Sequence, residues 1–117
     1  MVNSRIFSYD IDERIHLINT IMGRAPADIL IVHVNIVSVT TNEILEGQTI
    51  VIKGRRIAGV GRYSGIHRLI GRNALVINGE NKYAIPGFID PHIHIESSFL
   101  TPTGFAILSL KHGTTTI

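Results

Sequence analysis

Twelve consecutive residues, Ile29 to Thr40, read ILIVHVNIVSVT, and most of them are branched at Cβ. Such side chains lose rotamer freedom on a helix and suit a pleated surface, so the run predicts a β-strand. A strand this apolar has to be paired and covered, and the sequence supplies partners downstream. QTIVIK, GRRIAGVG and NALVI follow at close spacing. They are separated by a break over Thr41–Gly47, by the KGR turn and by the loop Gly61–Gly65, and Asn78-Gly79 closes the series. Short strands with glycine turns predict a small antiparallel β-domain of the sandwich type over residues 28–82.

The flanks differ. Tyr9 to Gly23 places Ile11, Ile15, Leu17, Ile18 and Met22 at near-helical spacing, with acids early and a glycine at the end. This predicts a short amphipathic helix in an amino-terminal helical segment, residues 1–27. From about Tyr83 the pattern changes again. KYAIPGFIDPHIHI reads as a strand interrupted by proline. A loop and a helix follow, with Thr101 as the cap and Pro102 in the first turn. TTTI then opens another strand. Strand, helix, strand implies parallel pairing and a layered α/β unit over residues 83–117.

Composition narrows the function classes. Net charge is +2 with 17% charged residues, which is neither a disordered nor a polyanion-seeking balance. Lys53, Arg55, Arg56, Arg62, Arg68 and Arg72 cluster, but only Tyr63 interleaves as a stacking aromatic, so the cluster reads as a solvated rim and no nucleic-acid partner is expected. The chain has no cysteine, which excludes disulfides and thiolate metal sites and is compatible with a reducing cytoplasm. Neither a signal peptide nor a membrane-spanning run is visible, so a cytoplasmic protein without a membrane partner is expected. Gly59, Gly61 and Gly65 do not have the spacing of a dinucleotide fingerprint. His16 reads as a surface residue of the helix, His33 and His67 lack neighbouring ligand-type side chains, and none of the three is given a role.

The chemistry concentrates in PGFIDPHIHIESS, Pro86 to Ser98. On a strand, alternation puts Asp90, His92, His94 and Glu96 on one face and Ile89, Ile93 and Ile95 on the other. Two imidazoles one strand-repeat apart can converge on a metal ion, with Glu96 or Asp90 as ligand or orienting partner. His-x-His alone is a weak motif. Its position at the end of a buried strand in a βαβ unit strengthens it, because the carboxyl ends of such strands carry the chemistry of α/β barrels.

PGFID-x-H-x-H behind a small β-domain resembles the amidohydrolase superfamily of metal-dependent hydrolases, built on a TIM-like (β/α)8 barrel. HIESS-x-L-TP followed by HGTTT resembles its adenine deaminase branch, as do GRAPADILI, NEILEGQTIVIKGRRIAGVG and YSG. Dihydroorotases and hydantoinases share the histidine pair but lack the Glu-Ser-Ser. The resemblance implies hydrolysis of adenine to hypoxanthine and ammonia by attack of a metal-held hydroxide on C6. It makes His92 and His94 the first two metal ligands and puts Glu96 and Ser97 at the mouth of the site, with Asp90 as buried support. The implied cofactor is manganese or iron, with zinc also possible and two ions in the full-length enzyme. The implied partners are adenine and water, with homo-oligomerisation when full-length.

A catalytic metal site takes about three protein ligands, and a barrel about 250 residues. The chain is therefore expected to be an amino-terminal fragment: part of a β-sandwich, the first βα unit and the start of barrel strand two. Two alternatives remain open, another cyclic amidohydrolase and a non-catalytic β-domain module. The 117-residue chain alone is expected to bind metal weakly and to release no ammonia from adenine. Ammonia release by the pure chain that is abolished in His92→Ala would contradict this expectation.

Overall fold

The computed structural model describes residues 11–117, so Tyr9 and Asp10 of the expected helix and the start of the chain lie outside the described residues. The chain divides into two compact units, one ending at Ala84 and one spanning Ile85–Ile117.

In the first unit, helix α1 (Ile11–Ile21) precedes strands β1 (Ala27–Ser38), β2 (Glu43–Lys53), β3 (Arg56–Gly61), β4 (Ile70–Asn78) and β5 (Tyr83–Ala84). Gly23 ends the helix at φ +70°, where a side chain would be strained, and the amides of Arg24 and Ala25 return to the Asn19 carbonyl. The buried residue of α1 is Thr20, with Leu17 and Ile21 half-buried. Ile11, Ile15, Ile18 and Met22 are exposed, so the apolar stripe legible in the sequence is not the face that meets the sheet.

The sheet runs β3-β2-β1-β4, with β5 also on β1. β1–β2 and β2–β3 are antiparallel, whereas β4 and β5 run parallel to β1. The expectation of an antiparallel domain is thus corrected to a mixed sheet. The reason lies between β3 and β4. Residues 62–69 are too long for a tight hairpin, and they cross from one edge of the sheet to the other through a 3-10 turn, Ile66–Arg68. This crossover also makes the core. Leu69 is buried with Ala27, Leu30 and Val51, and Tyr63 and Ile66 pack against them. Leu30 and Val51 are fully buried, each contributing about 1.5–3 kcal/mol of hydrophobic stabilisation.

Two bulges explain other departures. The break expected over Thr41–Gly47 shrinks to a turn at 39–42, and β2 passes through Gly47, which sits at φ +61° and absorbs the extra residue. The Gly47 amide donates to Asn35 Oδ1 at 3.1 Å. His33 takes φ +57° where β1 shifts register between Ile31 and Val34, and it is exposed, a backbone role for a residue read as without function. Beside it, Asn78-Gly79 does not reverse the chain. Gly79 donates to the Val32 carbonyl, Asn35 to that of Lys82, and β5 resumes along β1 in the same direction.

The second unit holds β6 (Phe88–Ile89), a 3-10 turn (Ile95–Ser98), α2 (Pro102–Lys111) and β7 (Thr114–Thr116). β6 and β7 pair in parallel with α2 between them, the expected strand–helix–strand unit. Thr101 Oγ1 accepts from the Gly104 amide at 3.2 Å, Pro102 opens the helix, and Gly113 leaves it at φ +91°. The architecture is mixed α/β, and no closed barrel forms among the described residues. None of the described helices is long and apolar enough to cross a membrane.

Half of the basic cluster is tied to neighbours. Arg56 reaches Glu13 at 3.1 Å, Arg62 donates to the Glu46 carbonyl, and Lys53 meets Asp28 at 2.8 Å. Asp28 also accepts from the Gly54 amide in the two-residue β2–β3 turn. Lys53 first, and that amide second, hold the Asp28 carboxyl below its ordinary value. A lowered carboxylate stabilises the fold above its unfolded-state pKa, and the contribution is lost as pH falls through the folded-state value. Asp28→Asn is therefore expected to cost about 0.5–1 kcal/mol at neutral pH, with the difference closing in acid below the usual carboxylate range. Urea unfolding of both proteins across that range checks it, and a gap independent of pH would contradict it.

Candidate metal centre

The site is built on the carboxyl end of β6. Gly87 precedes the strand and lies against the Thr115 side chain, so a Cβ there would overlap Thr115 Oγ1 and Cγ2. That lack of a side chain lets β6 approach β7. Phe88 donates to the Gly113 carbonyl and Asp90 to that of Thr116, both at 2.9 Å. The second bond is the last one along the strand pair.

Past it the chain departs from the expected strand. β6 ends at Ile89, so residues 90–94 form an extended loop, and Glu96 sits in the 3-10 turn. The segment is not buried: Ile89, His92, His94 and Glu96 are all exposed. Pro91 is one reason, because it has no N–H to continue the pairing. Asp90 is the other, since its Oδ1 accepts from the His92 amide at 3.2 Å and bends the backbone in a local turn. Asp90 is half-buried, and its side-chain bond goes to the loop.

The side chains still meet. His92 Nε2 and His94 Nε2 stand 3.2 Å apart, with ring centroids at 5.0 Å and planes inclined at 68°. Two imidazole nitrogens at about 2.0–2.1 Å from one ion are roughly 2.9 Å apart at a right angle and roughly 3.4 Å apart at the tetrahedral angle. The observed separation falls between these limits, so the pair fits two adjacent positions on one cation. Glu96 Oε1 lies 2.9 Å from His94 Nδ1. That hydrogen bond first, and the Glu96 amide second, hold the Glu96 carboxyl below the usual carboxylate range.

Ser97 supplies its amide to the His94 carbonyl at 3.2 Å. Ser98, to which the sequence reading gave no role, closes the turn. Its Oγ donates to the Ile95 carbonyl at 2.6 Å and accepts from the Leu100 amide at 3.3 Å. Gly87 and Thr115 were also missed. The signal for Gly87 was available in the Pro-Gly before an apolar strand, but the partner it approaches lies 28 residues on in sequence (115 − 87). Among the described residues, no three side chains of the ligand types converge on one point, so these residues offer a pair and not a full coordination set.

A parallel strand–helix–strand unit with paired histidines past its first strand defines an α/β module. No protein-family model matches the chain. Across all of its 117 residues it is 67% identical to adenine deaminase from Staphylothermus marinus, covering 19% of that protein. It is 39% identical over 107 residues (92% of the chain) to adenine deaminase from Paracoccus denitrificans, covering 18% of it. Over 101 residues, 86% of the chain, it is 46% identical to that of a Ruegeria species, covering 16%. The chain belongs to the adenine deaminase family of the amidohydrolase superfamily. It spans about a fifth or less of the length of these curated relatives.

Gly87→Ala is expected to destabilise the βαβ unit by on the order of 1–3 kcal/mol through overpacking against Thr115. Thr115→Ala should recover part of that loss, because it removes Oγ1 and Cγ2, the two closest of the overlapping atoms, and leaves Cβ. Thermal unfolding of the two single variants and the double variant checks the coupling, and strict additivity would contradict it.

Proposed function

We propose that this chain supplies the first two metal ligands of an adenine deaminase, and that the whole protein hydrolyses adenine to hypoxanthine and ammonia. The carrying observation is the 3.2 Å approach of His92 and His94 Nε2 past the carboxyl end of a parallel strand, in a chain of this family. In the reaction, the oxygen of water is added at C6 of the purine and the exocyclic amine leaves as ammonia. Within the chain, His92 and His94 hold the cation, Asp90 sets the loop that carries His92, and Glu96 sits against the far nitrogen of His94. A bound divalent cation lowers the pKa of water and makes a nucleophile available at neutral pH.

The donors here are nitrogen and oxygen with no thiolate, which suits manganese, iron or zinc. Two ions, with further ligands from outside this chain, complete the site on this reading. The βαβ unit is read as the opening of a (β/α)8 barrel, residues 83–117. The mixed sheet is read as part of a sandwich domain, residues 28–82, behind the helical segment 1–27. We further place the protein in the cytoplasm as a homo-oligomer. The absence of cysteine and the exposed apolar residues of β4, Leu75, Val76 and Ile77, support those two assignments.

The test is ammonia release from adenine by the full-length protein loaded with Mn2+. His92→Ala and His94→Ala are each expected to lower kcat/KM at least about 100-fold, with a parallel loss of bound metal. Turnover of dihydroorotate or hydantoin with none of adenine would move the protein to another branch of cyclic amidohydrolases.

A further inference from the structure

We infer that Glu96 is a positioning residue for His94, which fixes the ring so that Nε2 presents its lone pair to a cation shared with His92. This rests on reading the histidine pair as metal ligands and assigns the carboxylate its part in that site. Three roles compete for Glu96: ligand, loop anchor and substrate contact. The geometry separates them. Glu96 Oε1 is 2.9 Å from Nδ1 of His94, whereas His94 meets His92 through Nε2 at 3.2 Å. The two ring nitrogens point away from each other, so the carboxylate stands on the far side of the ring from the point where the histidines converge.

Nor does Glu96 anchor the loop. The turn is closed by the Ser97 amide on the His94 carbonyl and by Ser98 Oγ, which bonds the Ile95 carbonyl and the Leu100 amide. The Glu96 side chain takes no part in those bonds. Its contact with His94 depends on the backbone leaving the strand. In extended chain, residues two apart are separated by about 6.6 Å along the strand. The 3-10 turn at Ile95–Ser98 folds Glu96 back over the ring instead.

The consequence is chemical. An ionised carboxylate accepts hydrogen bonds and cannot donate, so Nδ1 of His94 carries the hydrogen. Neutral His94 then has its lone pair on Nε2, the form a metal ligand needs. Without metal, His92 Nε2 stands 3.2 Å from that nitrogen, and a cation shared by the two rings would take the place of the contact between them.

The experiment measures Mn2+ affinity of the metal-free full-length protein by chelator competition, with Mn2+ alone as the probe. Glu96→Ala is expected to weaken binding about 10–100-fold. Glu96→Gln, whose amide carbonyl still accepts from Nδ1–H, should retain most of the affinity. The metal-free melting temperature should stay close to the wild-type value in both variants, since so exposed a pair contributes little to stability, and at saturating Mn2+ the KM for adenine should stay at the wild-type value. Affinity within twofold of wild type in Glu96→Ala, while His92→Ala and His94→Ala abolish binding, would overturn the positioning role and leave the metal site standing. Loss in Glu96→Gln as complete as in His94→Ala would overturn it in favour of a ligand, and a raised KM in favour of a substrate contact. Undiminished Mn2+ binding in His92→Ala and His94→Ala would instead overturn the metal site on which the inference rests.

Discussion

Strand β1 is the constraint on which the first unit depends. It bonds to β2 on one side and to β4 and β5 on the other, so only β3 is held without it. Its residue Leu30 is fully buried against Val51 of β2 and Leu69 of the crossover. A strand with neighbours on both sides has its backbone groups satisfied and its apolar side chains covered, which lowers the cost of burying them. The bulge at His33 shifts the register of β1, and the detour through Gly79 to β5 follows on the adjoining edge. One irregularity in a central strand is thus passed to its neighbour.

In the second unit the corresponding constraint is the β6–β7 pairing. It is short, and its last bond, Asp90 to Thr116, is made by the residue whose side chain then turns the loop toward His92. Asp90 therefore joins the strand pair to the site with two different groups, its amide and its carboxylate. The site is exposed, so its order rests on local hydrogen bonds and not on burial. The bonds of Ser97 and Ser98 within one turn give it that order.

Much of the fold was legible because it rests on local chemistry. The helix end at Gly23, the Thr101 cap with Pro102 behind it and the β-branched run of β1 are each decided within a few residues. The direction of β4 was not, because parallel or antiparallel pairing depends on where an eight-residue connection, 62–69, carries the chain. Gly47 reads as a breaker in sequence, since nothing local shows that Asn35 on another strand will satisfy its amide. The face of α1 that meets the sheet was not legible for a similar reason. Periodicity reports which residues share a face, not which face the sheet covers.

For the histidine pair the division is sharper. The sequence by itself determined which polar groups stand together: two imidazoles two residues apart, acids on either side and no thiolate anywhere in the chain. It also determined the family, because Glu-Ser-Ser and the glycine-threonine run follow the pair in order. Strand alternation put the four groups on one side, yet the backbone that unites them is no strand. Only the tertiary structure decided that the pairing stops at Ile89, that Asp90 bends the loop, and that a turn folds Glu96 onto Nδ1 of His94. The physical reason is that a hydrogen-bond partner is chosen by position in space. Position past the end of β6 is set by β7, which joins it from the far side of a helix.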